Sequence, residues 1–338
     1  MKISVIIPVY NMRNYLCECV NSILKNNYDD YEVIMIDDGS DDGSGEICDD
    51  YSNRYNNIHV FHQKNMGLLC ARREGLKKSS GEYIMFCDAD DKISDKSLSL
   101  LSNEIDNSNA DVILYNIMLL DGHKHPFYEH LFKNHQLIDK KVILNEIWTT
   151  LKYNSMCGKI FKRSIADINK DYSSMYKNNF GEDFLQSVYI FLNCDSIDYL
   201  DEYIYYYRVS SGMMRHYNKN YYTSYRDIAN YVYNDLNYIV DDNDIKYSIY
   251  ILNAACGQIM QFRFTEEFDI KEFDKIYDDY YFMKSYRIAY NSKLLKKYLP
   301  KKRRIIIKRI SQRKVNHIKL IIKISKLKQN IKKYFLSQ

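Results

Sequence analysis

The sequence is poor in proline, with 3 residues, and modest in glycine, with 11 among 338. That excludes collagen-like chains and Pro/Gly-rich disordered ones. It has a single tryptophan, Trp148, which is expected to pack in a core rather than to stack on a sugar. No run of 18 or more apolar residues occurs, so no spanning helix is expected, although attachment to a membrane surface stays open. The opening stretch MKISVIIPVYN is too short for a signal peptide and enters a strand–turn pattern directly. Neither GxGxxG nor GxxxxGK[ST] follows the first apolar run, which removes the dinucleotide fingerprint and the P-loop. The only close cysteine pair, Cys17 and Cys19, has no second pair and no nearby histidine, so a zinc site is not expected. The 8 cysteines read as buried free thiols of a reducing compartment. His123, His125, His130 and His135 match neither HExxH nor one helical face and read as a histidine-bearing loop.

What is present is a hydrophobic fraction of 46%, enough for a substantial core, and an excess of tyrosine, 34 residues, which reads as compositional bias. Charge is divided unevenly. Residues 291–338 carry 17 Lys/Arg and no Asp/Glu, leaving 31 basic against 44 acidic residues in 1–290. The small overall excess of +4 therefore conceals an acidic body and a basic tail.

Short apolar runs at Ile3–Ile7, Val33–Ile36, Ile58–Phe61, Tyr83–Cys87 and Val112–Tyr115 alternate with segments of helical length. These are Asn14–Asn26, Ser44–Arg54, Leu69–Lys78 and Lys96–Asn107, the last capped by Asp95. Near-continuous apolar strands separated by helices predict an α/β fold with a mostly parallel, Rossmann-like sheet flanked by helices. Phe180–Leu192 reads as a further helix and Ile197–Val209 as strand. Helical patterns follow at 221–240, 245–262 and 272–290. Beyond Pro300, apolar residues spaced by threes and fours, among them Leu320, Ile324, Leu327 and Ile331, alternate with lysine and arginine. A basic amphipathic helix over 301–336 lying on an anionic bilayer is the preferred reading. A solvated helix or a tail clamped to the acidic body is the alternative. Nucleic-acid binding is not expected, because no recognition module accompanies the charge.

In an open α/β sheet, ligands gather at the carboxyl ends of strands. The polar outliers fall there: Pro8-Val9-Tyr10-Asn11 after the first run, Asp37-Asp38-Gly39-Ser40 after the second, and Asp88-Ala89-Asp90-Asp91 after the fourth. Three crowded carboxylates repel unless a cation or proton compensates. Mg²⁺ or Mn²⁺ suits such oxygen donors. A helix cap with solvent-facing aspartates explains the triplet equally well.

Taken in order, SVIIPVYNMRNYLCECVNSIL, VIMIDDGSDDGS, QKNMGLLCARREGL, YIMFCDADD, CGKIFKR and FGEDF span about 180 residues. Together they resemble a family 2 glycosyltransferase with a GT-A fold, of the inverting, bacterial surface-polysaccharide type. The resemblance implies a GT-A catalytic domain over 1–215, split into a nucleotide-sugar-binding half (1–116) and an acceptor-side half (117–215). A helical accessory region (216–295) and the basic tail (296–338) would follow. It implies that Pro8, Val9 and Tyr10 line the base pocket and that Asp38, or Asp37 beside it, contacts base or ribose. Arg72 would serve the donor site, with Arg73 standing where the family commonly has Asn. Asp88 would meet ribose or metal-bound water, Asp90 would be the main metal ligand, and Asp91 would support the donor sugar or the metal shell. Asp183 would be the general base, with Glu182 beside it. Lys159 would reach a substrate oxygen, and His216 would approach the diphosphate.

The function so implied is metal-dependent, inverting transfer of a hexosyl or N-acetylhexosaminyl group, with Mn²⁺ or Mg²⁺. The donor would be a nucleotide sugar, UDP-linked by preference, and the acceptor a glycan or lipid-linked oligosaccharide. The setting would be capsule or other surface-polysaccharide biosynthesis, on the inner face of the cell membrane, with an oligomer or biosynthetic complex left open. A transferase for a protein- or teichoic-acid-linked glycan and a non-catalytic nucleotide-sugar scaffold are the alternatives. The absence of a Gln-x-x-Arg-Trp segment and of spanning helices favours single-sugar transfer over processive synthesis.

Overall fold

A computed structural model describes residues 2–125, 130–176, 180–209 and 217–336. The chain divides into two compact units, Met1–Ile147 with Leu151–Ser211, and Trp148–Thr150 with Gly212–Gln338.

The first unit is built on an eight-stranded sheet. Its elements in chain order are β1 (Ile3–Val9), α1 (Leu16–Leu24), β2 (Tyr31–Asp37), α2 (Ser44–Arg54), β3 (Ile58–His62), α3 (Leu68–Lys78), β4 (Tyr83–Phe86) and β5 (Lys92–Ile93). Then come α4 (Ser97–Ser108), β6 (Val112–Leu119), α5 (Lys140–Glu146), β7 (Lys159–Lys162), α6 (Glu182–Asn193) and β8 (Ile197–Tyr207). The strand order is β3-β2-β1-β4-β7-β6-β8-β5. β1 pairs in parallel with both β2 and β4, and every residue of β1 and β2 is buried. A strand covered on both faces has no polar face to display, which is why these segments read as apolar runs rather than alternations. α3 lies directly on β1: a Cβ at Gly75 would sit 2.3 Å from Ile6 Cγ2.

The helix and strand expectations for this half hold, with small shifts in their ends. Two features differ. β7, within the CGKIF segment, runs antiparallel between β4 and β6, so the sheet is mixed at its centre. The residue capping α4 is Lys96, without a side-chain hydrogen bond, so Asp95 is not its cap.

The second unit is helical: α7 (Tyr221–Leu236), α8 (Asn243–Gln261), α9 (Ile270–Tyr277), α10 (Tyr280–Ala289), α11 (Lys293–Tyr298), α12 (Lys301–Ser311) and α13 (Val315–Leu336). Trp148 belongs to its core. It is 2% exposed, lies edge-on to Tyr247 and Tyr250, and donates Nε1–H to Asn243 Oδ1 at 2.8 Å. The helix expected over 272–290 is two helices, because Asp279 caps α10 by accepting from Phe282 N–H at 2.9 Å.

The basic tail is also broken. Arg313 has φ 49°, in the left-handed region, between α12 and α13. Ile306, Ile307 and Ile310 of α12 are buried, so the first half of the tail is core material of the helical unit rather than a free amphipathic helix. In α13, Ile318 and Ile322 are buried while Leu320, Ile324 and Leu327 stay exposed. Among the described residues, no helix is long and apolar enough to cross a membrane.

Candidate active site

β1, β2, β4, β6 and β8 run in the same direction, so the ends of β1, β2 and β4 present their following loops on one edge of the sheet. Pro8 and Val9 are buried in β1, and Tyr10 just past it is 47% exposed. The first two strand ends are tied together: Asp38 N–H donates to Val9 O at 2.8 Å, and Asn11 Oδ1 accepts from Asp41 N–H at 3.0 Å.

Asp37 and Asp38 are both buried and occupied within the protein. Asp37 accepts from Ser40 N–H at 3.0 Å and faces His62 Nδ1 at 2.8 Å. Those carboxylates beside His62, Asp37 and Asp49, raise the imidazole above its ordinary pKa. Asp38 takes Gln63 Nε2–H at 2.6 Å and Met66 N–H at 2.9 Å on one oxygen, and Gly67 N–H at 2.8 Å on the other. Gly67 itself has φ 90°, a conformation that requires glycine at the entry to α3. In this conformation Asp38 shapes the loop leading to α3 through three internal bonds, where the resemblance placed it against base or ribose.

The acidic turn after β4 sorts its three carboxylates by environment. Asp88 and Asp90 are half-buried, and Asp91 is 1% exposed. Asp91 accepts from Tyr205 O–H at 2.7 Å and from Arg208 N–H at 2.6 Å. Burial, then the charges of Asp88 and Asp90, push its carboxyl up to about 8. With both oxygens taken by β8 and the residue after it, Asp91 ties the turn to β8. Tyr205, which the sequence reading missed, also accepts from Asp88 N–H at 3.0 Å. A buried hydroxyl in a tyrosine-rich strand carries no sequence signal that sets it apart. Glu18 was missed for a similar reason. It lies on α1, pairs with Lys92 at 2.8 Å and with Arg208, and so steadies the far side of the same turn.

Arg72 joins this turn to α6. Its guanidinium is 1% exposed and reaches Asp88 Oδ1 through Nη2 at 3.0 Å and Asp183 Oδ1 through Nη1. Burial would lower its pKa, but Asp183 and Asp88 outweigh that and hold it well above the ordinary value. Asp183 and Glu182 form the first turn of α6 behind Gly181, where the helix dipole favours negative charge. They differ sharply. Asp183 keeps 37% of its side chain exposed. Glu182 is buried with Oε2 unpartnered, and burial plus the neighbouring Asp183 charge push it up to about 8. Burial thus favours the neutral form of Glu182, next to the half-buried side chain of Asp183.

Arg73, standing where Asn is common, has its own task. Its guanidinium donates to the carbonyls of Ala166, Asp167, Ile168 and Lys170, closing that turn. Lys159 is 1% exposed, and its ammonium donates to Ser155 O and to Ser187 Oγ at 3.0 Å. Burial lowers it to about 7. In this conformation β7 holds Lys159 between Ser155 and Ser187, near the charges of Asp183 and Arg72. His216 lies outside the described residues. Of the four histidines in the middle segment, His135 meets Glu104 Oε1 at 2.8 Å near Asp198. Asp198 opens β8, the strand end opposite to the acidic turn, so this group is no part of the site.

The glycosyl transferase family 2 model matches residues 4–168, which include the strand ends, Arg72 and the acidic turn. Glycosyltransferase GlyG of Streptococcus pneumoniae is 31% identical over 62% of this chain and 71% of its own length. The chain belongs to glycosyltransferase family 2. Glycosyltransferase GlyA of the same organism is 32% identical over 63% of this chain, which spans only 31% of that longer protein. The crystal structure of Staphylococcus aureus TarS 1-349 in complex with UDP-GlcNAc superposes with a TM-score of 0.68 at 22% identity, covering 96% of this chain and 91% of that one. For this glycosyltransferase, that likeness establishes the GT-A type of fold, helical region included. The family match leaves the part played by each side chain to geometry.

Proposed function

We propose that this protein transfers a hexosyl or N-acetylhexosaminyl group from a nucleoside-diphosphate sugar to a glycan acceptor, with inversion at the anomeric carbon. The observation that carries the reading is the buried Arg72 bridge. One guanidinium fixes Asp183, at the start of α6, within reach of the strand-end turn that holds Asp88 and Asp90. One charge-assisted bond, from a buried guanidinium itself anchored on Asp88, gives Asp183 a set position.

Asp183 is the base. It accepts the proton of the acceptor hydroxyl as that oxygen attacks the anomeric carbon from the face opposite the leaving diphosphate. The C–O bond to the diphosphate breaks as the new glycosidic bond forms, so no covalent sugar–enzyme intermediate is needed. Arg72 holds Asp183 in position. Glu182, protonated, adds no second negative charge beside it.

Asp88 and Asp90 fit a divalent cation. They are half-buried oxygen donors, and their charges already raise Asp91. Asp90 with Asp88 would hold Mg²⁺ or Mn²⁺, which supplies charge neutralisation to the departing nucleoside diphosphate. A UDP-sugar is the favoured donor, since TarS of the same fold was crystallised with UDP-GlcNAc. The acceptor is assigned as a lipid-linked glycan at an anionic membrane surface. The exposed Leu320, Ile324 and Leu327 of α13, with Lys319, Lys323 and Lys328 around them, support that placement.

A nucleotide-release assay with UDP-, GDP- and dTDP-sugars and Mn²⁺ or Mg²⁺ tests the reading. One UDP-sugar should release UDP, and Asp90→Asn should cut the rate about 100-fold, the scale of a lost metal contact. Release unchanged by Asp90→Asn and by chelator would remove the metal role. UDP binding without release or transfer to any acceptor would leave a nucleotide-sugar scaffold.

A further inference from the structure

The helical unit holds a cleft of about 270 Å³. Its wall includes Tyr221 at the start of α7, Gly257 and Gln261 of α8, Arg263 in the turn after α8, and Lys302 and Arg303 in the first turn of α12. Tyr221 lies against α8 because position 257 is glycine; a Cβ there would stand 2.6 Å from the Tyr221 ring.

Three features of this cleft call for an anion. The first is charge: its wall carries Arg263, Lys302 and Arg303 and no carboxylate. The second is a pair of unmet donors. Gln261 is 5% exposed and uses its Oε1 to accept from Asn218 N–H at 2.9 Å, while its Nε2 is buried with no hydrogen-bond partner. Arg263 Nε is buried and unpartnered as well. Buried donors are almost always satisfied by protein, water or ligand. The third is the placement of Lys301, Lys302, Arg303 and Arg304 in the first turn of α12. That turn contains no acidic residue and has no side-chain cap. Cations at a helix N-terminus oppose the macrodipole, and a bound anion relieves both.

We propose that this cleft binds a phosphoryl group, as a phosphate ester or free phosphate. Guanidinium forks, an ammonium and an amide N–H match the several oxygens of a tetrahedral phosphoryl group better than the two of a carboxylate. The rings and aliphatic side chains of the wall, Tyr221 and Ile306 among them, leave room for the alcohol that carries the phosphate.

Full-length protein is titrated by calorimetry with inorganic phosphate and, separately, with dihexanoyl-phosphatidylglycerol below its micellar concentration. At least one probe should bind saturably. Lys302→Glu and Arg263→Gln should each weaken that binding about tenfold, the scale of one lost charge-assisted hydrogen bond. Asp90→Asn should leave it unchanged. Lys302 is exposed, so its variant keeps the fold even if Arg263→Gln does not. Phosphate binding as tightly as the lipid identifies free phosphate or a soluble ester, and binding of the lipid alone identifies a headgroup. Both support the site. Absence of saturable binding at millimolar probe, or binding that Lys302→Glu leaves intact, overturns it.

Discussion

Two places in this molecule concentrate charge of one sign, and they solve the resulting repulsion differently. At the end of β4, Asp88, Asp90 and Asp91 sit together with Glu182 and Asp183 close by. There the protein compensates from within: Arg72 pairs with two of the five carboxylates, and burial raises the pKa of Asp91 and Glu182. At the start of α12, four cations follow one another, and among the described residues none of them forms an ion pair with a carboxylate. The acidic site is pre-organised, with its carboxylates sorted by burial and bonding partner, as a reaction centre requires. The basic turn has unspent charge, as a binding surface requires. The contrast separates a place that does chemistry from a place that holds something.

The sharpest way to break that contrast is Asp183→Asn. The substitution keeps size and a hydrogen-bonding group but removes the proton acceptor. Transfer should fall by about 10²–10⁴-fold, the range for loss of a general base, while nucleotide-sugar binding is retained. Single-turnover transfer and equilibrium donor binding, measured side by side, separate the two effects. Transfer retained within a few-fold would move the base to another residue. Loss of donor binding together with transfer would instead make Asp183 a structural anchor for Arg72.

How far this site was legible in the sequence follows from distance along the chain. β1, β2 and β4 announce themselves because burial on both faces leaves only apolar residues. Asp88, Asp90 and Asp91 could be found as a cluster because they are neighbours. Sorting them could not, since Asp91 is distinguished only by Tyr205 and Arg208, more than a hundred residues later. Arg72 and Asp183 were named by family resemblance, yet their bond spans 111 positions and no local pattern encodes it. The tail shows the opposite failure. Its threes-and-fours spacing predicts one amphipathic helix, but Arg313 interrupts it, and α12 turns its isoleucines into the helical core. Periodicity reports that a face is apolar without saying whether protein or membrane covers it.

That ambiguity can be sharpened on α13, where the apolar face is exposed. Replacing Leu320 and Leu327 together by glutamate puts charge into the proposed bilayer contact without touching buried Ile318 or Ile322. Binding to phosphatidylglycerol vesicles should weaken about tenfold or more, from lost apolar burial and added repulsion. Unaltered sedimentation with vesicles would assign the basic tail to another partner. A lower melting temperature would show that the face is covered by protein.

The smallest effect tests the most specific feature of the acidic site, the proton on Glu182. If burial and Asp183 hold its carboxyl at about 8, glutamine reproduces the form present at neutral pH. Glu182→Gln should then change the transfer rate by less than about twofold, because it alters neither charge nor shape. Stability gives the sign. A carboxyl whose folded pKa lies above its ordinary 4.5 stabilises the fold fully below that value. It loses that contribution as pH rises toward 8, at a limiting slope of about 1.4 kcal/mol per pH unit. Asp91 acts in the same direction, whereas Lys159, lowered to about 7, acts in the opposite sense above neutrality. Between pH 5 and 7, therefore, the wild type should lose stability more steeply than Glu182→Gln, as read from denaturant midpoints. Equal slopes would mean that Glu182 is ionised in the folded protein. A collapse of activity in Glu182→Gln would mean that its charge, and not only that of Asp183, takes part in transfer.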